Sequence, residues 1–212
     1  MPSIVIHSAV AKKVGDRLGI NSKDYQVGAI SPDLSKLIGN PREYSHFVEE
    51  KDGPPNLDRF LYKYKDSLKD DFVLGYFVHL YTDFLFEKYF VSNFLDDGRN
   101  TITKADGTEF KYTDKTYKLY LYNDYTNLNE QLISKYNIDY SFLDEPYETN
   151  KWLIEEVPIS EIEVLFKATK EIIANSKKRK DFLFNIKDMV AFIDFASILI
   201  SQRIEELVDI NN

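Results

Sequence analysis

The fifteen residues Phe72-Val73-Leu74-Gly75-Tyr76-Phe77-Val78-His79-Leu80-Tyr81-Thr82-Asp83-Phe84-Leu85-Phe86 constrain the fold of this chain more than any other stretch. They are apolar on nearly every side, so as a helix they must be central and buried. Yet His79 and Asp83 stand among them four residues apart, on one face and about one turn from each other. Gly75 lies one turn earlier on that face. A glycine there costs the helix roughly 1 kcal/mol relative to alanine, and it leaves room for something to approach the backbone. A carboxylate in such surroundings is expensive unless paired, hydrogen-bonded or bound to a metal. No Lys or Arg lies between Asp71 and Glu87 to pair with it. A His–Asp hydrogen bond inside a core and a metal site both answer the problem.

The rest of the chain suits a helical surround. Of 212 residues only 8 are Gly and 7 Pro, whereas 15 are Tyr and 15 Phe. Few breakers and many bulky side chains favour long packed helices over a many-turned β fold. Helical periodicity is expected over Ser3 to Leu18, Asn56 to Leu68, Phe72 to about Asn93 with Asp70 or Asp71 as its cap, and Asp114 to Tyr136. Ser160-Glu161-Ile162-Glu163 has the pattern of a capping box opening a helix to about Asn175. Asp181 to Val208 reads as mostly helix. Tyr25 to Ile30 is a short apolar piece, and Lys36 to Pro55 is loop-like. β-branched residues flank Asp106-Gly107, which signals a small β-hairpin around 100–112. The expected fold is all-α, with six or seven helices and that one ribbon. No low-complexity linker sets a boundary, so 1–212 is expected as a single helical domain.

Charge and composition remove several function classes. Lys plus Arg total 27 against 35 Asp plus Glu, a net charge of −8, which argues against a general nucleic-acid binder. With no cysteine, disulfides, thiolate zinc sites and cysteine nucleophiles are excluded. The N-terminus shows neither a basic region nor an apolar run of signal-peptide type, and the Phe72–Phe86 segment is too short and polar to span a bilayer. A cytoplasmic protein without stable membrane insertion is expected. The Tyr-rich run from Tyr117 to Tyr125 reads as core and helix surface. Lys177-Lys178-Arg179-Lys180 reads as a solvated helix end or loop. Asp194 is a candidate for pairing with a buried Arg or Lys.

The three histidines carry most of the chemical information. His7 shares a helical face with Val10, Ala11, Val14 and Leu18, so it points inward. Such a residue serves a core or a metal. Asp33 sits in Ser31-Pro32-Asp33, where the chain turns; a turn or N-cap role competes with ligation. His46 lies in Ser45-His46-Phe47, on a loop where exposure is the ordinary outcome. No histidine follows His79. Imidazole and carboxylate donors without thiolates suit zinc and its first-row neighbours, and suit catalysis more than a structural site.

The order His7, Ser31-Pro32-Asp33, Ser45-His46-Phe47, then Gly75-Tyr76-Phe77-Val78-His79 and Asp83 resembles the zinc-dependent phospholipase C family, in its intracellular bacterial branch. That family has a distant likeness to the P1-type nucleases. The resemblance covers about residues 3–90 well and the remainder loosely. It implies an all-α, metal-dependent hydrolase-like domain holding zinc in a cleft between helices. It implies that Asp33, His46, His79 and Asp83 hold one metal, and that His7 and Asp83 help hold a second, with Asp83 bridging. The secreted members place further histidines and a glutamate after the corresponding helix. Here Leu121-Tyr122-Asn123-Asp124-Tyr125 resembles an element of the intracellular branch, and Asp124 is the candidate replacement ligand. Glu87 is a weaker one.

The expectation is therefore a metal-dependent phosphoric-ester hydrolase, acting on a small phosphoester or lipid-like substrate. One or two zinc ions are expected, or Mn or Fe if carboxylates dominate. Asp33 is expected to orient or deprotonate the attacking water, and Arg42 is a candidate for meeting a substrate phosphate. The alternative is a catalytically decayed member whose metal is structural and whose role is binding. An HD-type phosphohydrolase would need an adjacent His-Asp dipeptide, which the chain lacks.

Overall fold

Helix-start chemistry at Ser3 fixes the first element. Its hydroxyl accepts from Ile6 N, and α1 runs Ile4–Leu18 until Gly19 takes a left-handed φ of 72°. The computed structural model describes residues 1–50, 53–96, 100–148 and 154–208. After α1 come α2 (Lys23–Gly28), a 3₁₀ turn at Ser31–Asp33, α3 (Leu34–Leu37) and α4 (Arg42–Ser45). The loop expected over Lys36 to Pro55 thus contains all of α4 and the end of α3. α5 (Leu57–Tyr64) is capped by the Asn56 side chain and passes into a 3₁₀ turn at Lys65–Ser67.

The apolar stretch forms α6 (Asp71–Leu85), with the Asp70 carboxylate accepting from Phe72 N and Val73 N. Every residue of α6 is buried except Asp71, Tyr81 and Phe84. α1, α2, α5 and α9 (Ile186–Leu207) pack around it. The α-helix does not continue to Asn93 as expected. A π-helical turn occupies Phe86–Phe90, followed by a 3₁₀ turn at Val91–Asn93.

The expected ribbon is present and has gained a strand. β1 (Leu95–Asp96), β2 (Thr101–Thr103) and β3 (Glu109–Lys111) form an antiparallel sheet in that order, with Ile102 opposite Phe110. Residues 97–99 of the excursion lie outside the described residues. α7 (Asp114–Tyr136) follows, capped by Thr113 and closed by Asn137 in the left-handed region.

Two helix starts differ from expectation. The capping box at Ser160–Glu163 does not form: Glu161 makes no side-chain cap bond, and α8 (Ile162–Ala174) starts from a 3₁₀ turn at Ile159–Glu161. The chain turns there through backbone bonds instead, Glu161 N donating to Pro158 O at 2.9 Å. The box forms at α9 instead, between Asn185 and Asp188. α9 begins at Ile186 rather than Asp181 because the amides of Phe182, Leu183 and Phe184 turn toward Asp124.

Many of the aromatic residues fill two zones along α6. Phe47, Phe60, Tyr64 and Tyr76 pack edge to face and stacked near its start. Phe86, Phe90, Phe184 and Phe192 do so beyond its end. Such pairs add about 0.5–1.5 kcal/mol each beyond the area they bury. Among the described residues no helix is long and apolar enough to cross a membrane.

Candidate metal centre

The centre is set by how closely α2 approaches α6. A Cβ on Gly75 would lie 2.1 Å from Tyr25 O and 2.9 Å from Ala29 N, and one on Gly28 would lie 2.1 Å from Phe72 O. Only hydrogens at both positions let the two backbones meet. One turn beyond Gly75, His79 then reaches the Ala29 carbonyl with Nδ1 at 2.9 Å. A carbonyl only accepts, so Nδ1 carries the proton and Nε2 is left with its lone pair.

His46 reaches the same state by a different route. It caps the end of α4, and Phe47 beyond it takes a φ of 55°. Val48 N donates to Glu43 O at 3.0 Å and Phe47 N to Tyr44 O at 3.4 Å. These are the two bonds of a Schellman closure, here without the usual glycine. A left-handed aromatic residue costs about 1–2 kcal/mol. The burial of its ring against Phe60, Tyr64 and Tyr76 offsets that. The turn buries His46 where a loop histidine is ordinarily exposed. Ser45 Oγ donates to Pro32 O at 2.9 Å, and the same oxygen lies 2.9 Å from His46 Nδ1. The hydroxyl proton being used, Oγ accepts from His46 Nδ1–H, and Nε2 again keeps its lone pair.

The two bare nitrogens face each other. His46 Nε2 lies 3.3 Å from His79 Nε2, 3.5 Å from Asp83 Oδ2 and 3.8 Å from Asp33 Oδ1. His7 enters from α1, its ring stacked on His79 with centroids 3.6 Å apart and planes 6° from parallel. Its Nε2 lies 3.4 Å from Asp83 Oδ1. Neither of those atoms, nor His7 Nδ1, has a hydrogen bond of acceptable geometry, although all are buried. Unpaired buried polar atoms cost about 1–3 kcal/mol each, and two lone pairs aimed at each other repel. A cation among them relieves both costs, so the donor set fits a metal. His7, His79 and Asp83 form one grouping able to hold an ion, and Asp33, His46 and His79 another. His79 belongs to both, while Asp83 spans them by placing one oxygen toward His7 and the other toward His46.

Electrostatics agree with that arrangement. Burial pushes His46 down to about 3, against the attraction of Asp83. Burial and the neighbouring His7 push His79 well below its ordinary value. Both rings therefore stay neutral, as metal ligation requires. Burial alone would raise the Asp83 carboxyl, but the adjacent His7 holds it well below the usual carboxylate range. Burial raises Asp33, the nearby Asp83 adding to it and His7 opposing it.

One edge of the cluster meets solvent. The Asp33 side chain is 18% exposed, against 1% for His46 and Asp83. Asp33 sits at the N-cap position of α3 yet makes no cap bond, so its carboxylate is free for the cluster. Arg42 stands at the same edge, 22% exposed, with Nη2 3.3 Å from Asp83 Oδ2 and Nη1 donating to Gly53 O at 3.2 Å. Asp83 thus has a cationic partner, supplied by a distant segment that the local sequence of α6 could not reveal.

Asp124 joins neither grouping. Its carboxylate accepts from Phe182 N at 2.9 Å, Leu183 N at 2.6 Å, Phe184 N at 3.2 Å and Asn123 Nδ2 at 3.1 Å. Those four bonds occupy the oxygens that a metal would need. Glu87, half-buried in the π turn, belongs to neither grouping. Asp194 pairs with Lys13 on a half-exposed surface rather than with a buried cation. Three contributors were missed from sequence: Ser45, the Ala29 carbonyl and Gly28. Ser45 had a signal, since it stands beside His46, but its role depends on Pro32, 13 residues away.

Comparison with family models, with curated proteins and with solved structures returned no match.

Proposed function

We propose that this chain is a metal-dependent hydrolase of phosphoric esters, with a phosphodiester or phospholipid-type substrate. The observation that carries the reading is the convergence of two unprotonated Nε2 atoms with the two oxygens of Asp83, beside a histidine whose ring nitrogens have no partner. Ordered supports behind His46 and His79 fix their tautomers, as in built metal centres. The donor set of three imidazoles and two carboxylates, without sulfur, favours zinc, with manganese or iron as alternatives. His79 Nε2, with one lone pair, would serve a single ion together with Asp33, His46 and Asp83, while His7 and the other oxygen of Asp83 would help hold a second.

When bound, such an ion supplies Lewis acidity toward a phosphoryl oxygen and acidifies water. The chain's own residues do the rest. Asp33, on the exposed edge with a raised carboxyl pKa, is placed to orient the attacking water and accept its proton. Arg42 keeps its guanidinium at that edge, where a phosphate would enter. Buried His46, His79 and Asp83 hold the donor geometry and exclude bulk water. The resemblance to the zinc-dependent phospholipase C family supports the same reading.

The test is metal analysis of protein purified without chelator, beside His79→Ala, followed by assay on phosphomonoester, phosphodiester and phospholipid substrates. One or two equivalents of transition metal, lost in the variant, together with turnover of one substrate class, is the expected result. Absence of metal, with none taken up from added Zn²⁺ or Mn²⁺, overturns the reading. Full metal content with every position closed by protein ligands, and no turnover, would instead identify a structural centre in a binding protein.

A further inference from the structure

Helix α7 leaves one side uncovered. Lys115, Lys118, Leu119, Tyr122 and Thr126 recur at spacings of three and four and so share a face. The first four are exposed, Leu119 at 64% and Tyr122 at 52%. From Lys115 to Asn129 the single carboxylate is Asp124, which is buried and held by three backbone amides. The segment Lys177–Lys180 runs alongside this face. Lys177 N donates to Thr126 O at 3.1 Å, Arg179 N to Asn127 Oδ1 at 2.6 Å, and Asn123 Nδ2 to Lys180 O at 2.9 Å. The backbone of the basic tetrad is thereby fastened to α7 while all four side chains stay exposed. On the other flank Lys36 Nζ lies 3.2 Å from the Tyr122 hydroxyl.

Carboxylates border this face: Glu130 is exposed one turn beyond Thr126, and three others accept hydrogen bonds. Asp106 accepts from Thr108 N at 3.0 Å, Asp114 from the Tyr112 hydroxyl at 2.5 Å, and Asp181 from Asn127 Nδ2. In a chain of net charge −8, positive charge has been gathered on one face around two exposed side chains that are not charged.

We infer that this face, α7 together with Lys177–Lys180, docks on an anionic lipid surface. The basic side chains meet phosphate-bearing headgroups, and Leu119 and Tyr122 enter the interface between headgroups and acyl chains. A nucleic-acid backbone would use the charge but offers nothing to Leu119; a bilayer interface uses both. The fastened backbone means little order is lost on docking. The inference stands on the patch alone and does not require a bound metal.

Flotation of the full chain with vesicles tests it. Binding is expected to phosphatidylcholine vesicles carrying about 30% phosphatidylserine, weakened by added salt, and absent with pure phosphatidylcholine. Each basic residue near an anionic surface contributes about fivefold in affinity. Lys177→Ala/Lys178→Ala/Arg179→Ala/Lys180→Ala should therefore lose roughly a hundredfold or more. Replacing the three lysines by arginine should preserve binding. Leu119→Ser/Tyr122→Ser should weaken it at unchanged charge, with thermal melting confirming that these exposed changes leave the fold intact. Lys65→Ala/Lys69→Ala/Lys88→Ala/Lys167→Ala, exposed lysines elsewhere, should leave binding unchanged. Equal loss in that control overturns the inference, since net charge rather than the patch would then govern. So does wild-type flotation of the quadruple variant. Tighter binding to single-stranded DNA than to vesicles, indifferent to Leu119 and Tyr122, overturns it in favour of a nucleic-acid face.

Discussion

Asp83 and Asp124 are both buried carboxylates on long helices, and the molecule treats them in opposite ways. Asp124, on α7, is given three backbone amides and a side-chain amide, and by accepting them it anchors the segment before α9. Asp83, on α6, faces imidazole nitrogens at 3.4 and 3.5 Å, and its Oδ1 has no hydrogen bond. Arg42 is its cationic partner, at 3.3 Å and at the exposed edge. Burial makes both carboxylates costly. One cost is met by the chain itself; the other is left partly open, facing imidazole nitrogens. A carboxylate of the first kind builds structure, and one of the second kind has an oxygen that a cation could take.

The sharpest way to break this comparison is to truncate Asp124. Asp124→Ala strands three backbone amides, two of them buried, and should lower unfolding free energy by about 3–5 kcal/mol, read by chemical denaturation. Metal content per folded molecule should not change. Loss of metal from a protein that still melts normally would make Asp124 a ligand after all. The second experiment is metal removal. At free zinc a hundred times its dissociation constant, linkage adds about 2.7 kcal/mol of stability. Chelator should abolish that gain in the wild type, and Asp83→Asn should show no gain to abolish. A zinc-dependent melting shift that survives in Asp83→Asn would remove Asp83 from the centre.

How far the sequence reached follows the same division. The apolar run, His79 and Asp83 on one face, and the inward aspect of His7 were legible because helical periodicity is a local property. His46 and Asp33 were weak candidates by themselves and gained a shared role only through the family resemblance, since a loop histidine and a turn aspartate have no periodicity to place them. The Arg42–Asp83 pair, the amides on Asp124 and the carbonyl behind His79 were illegible, each being a contact between segments far apart in the chain. Asp124 was misjudged for that reason: a carboxylate on a helix looks the same whether a metal or a returning loop satisfies it. The extra stretch expected in α9 had the same origin, because the amides of residues 182–184 appear free to propagate a helix until Asp124 takes them.

Smaller perturbations sharpen the comparison from the side of Asp83. Gly75→Ala places a Cβ 2.1 Å from Tyr25 O and should cost about 1–3 kcal/mol as α2 is pushed away. The Ala29 carbonyl moves with α2, so zinc affinity should fall as well. A variant equally destabilised far from α2 and unchanged in zinc affinity is the control, and equal affinity in Gly75→Ala would show that the carbonyl support is dispensable. Ser45→Ala removes the acceptor behind His46 together with the bond to Pro32 O. It should cost about 1 kcal/mol and reduce metal affinity roughly tenfold, measured by competition with a chromophoric chelator. No change in affinity would mean that His46 is held by packing alone.

The π-helical turn at Phe86–Phe90 has a consequence for how this chain can vary. A π turn is an α-helix with one residue more than its pitch accommodates. It lies immediately after the segment that carries His79 and Asp83, and its own end residues, Phe86 and Phe90, are the ones that meet Phe192 and Phe184. The helical phase of the ligand face is thereby uncoupled from that of the chain beyond Phe90. An inserted or deleted residue in the turn would be taken up there, without rotating His79 and Asp83 away from His7. The two ends of the helix can drift in sequence as separate modules while the centre keeps its register.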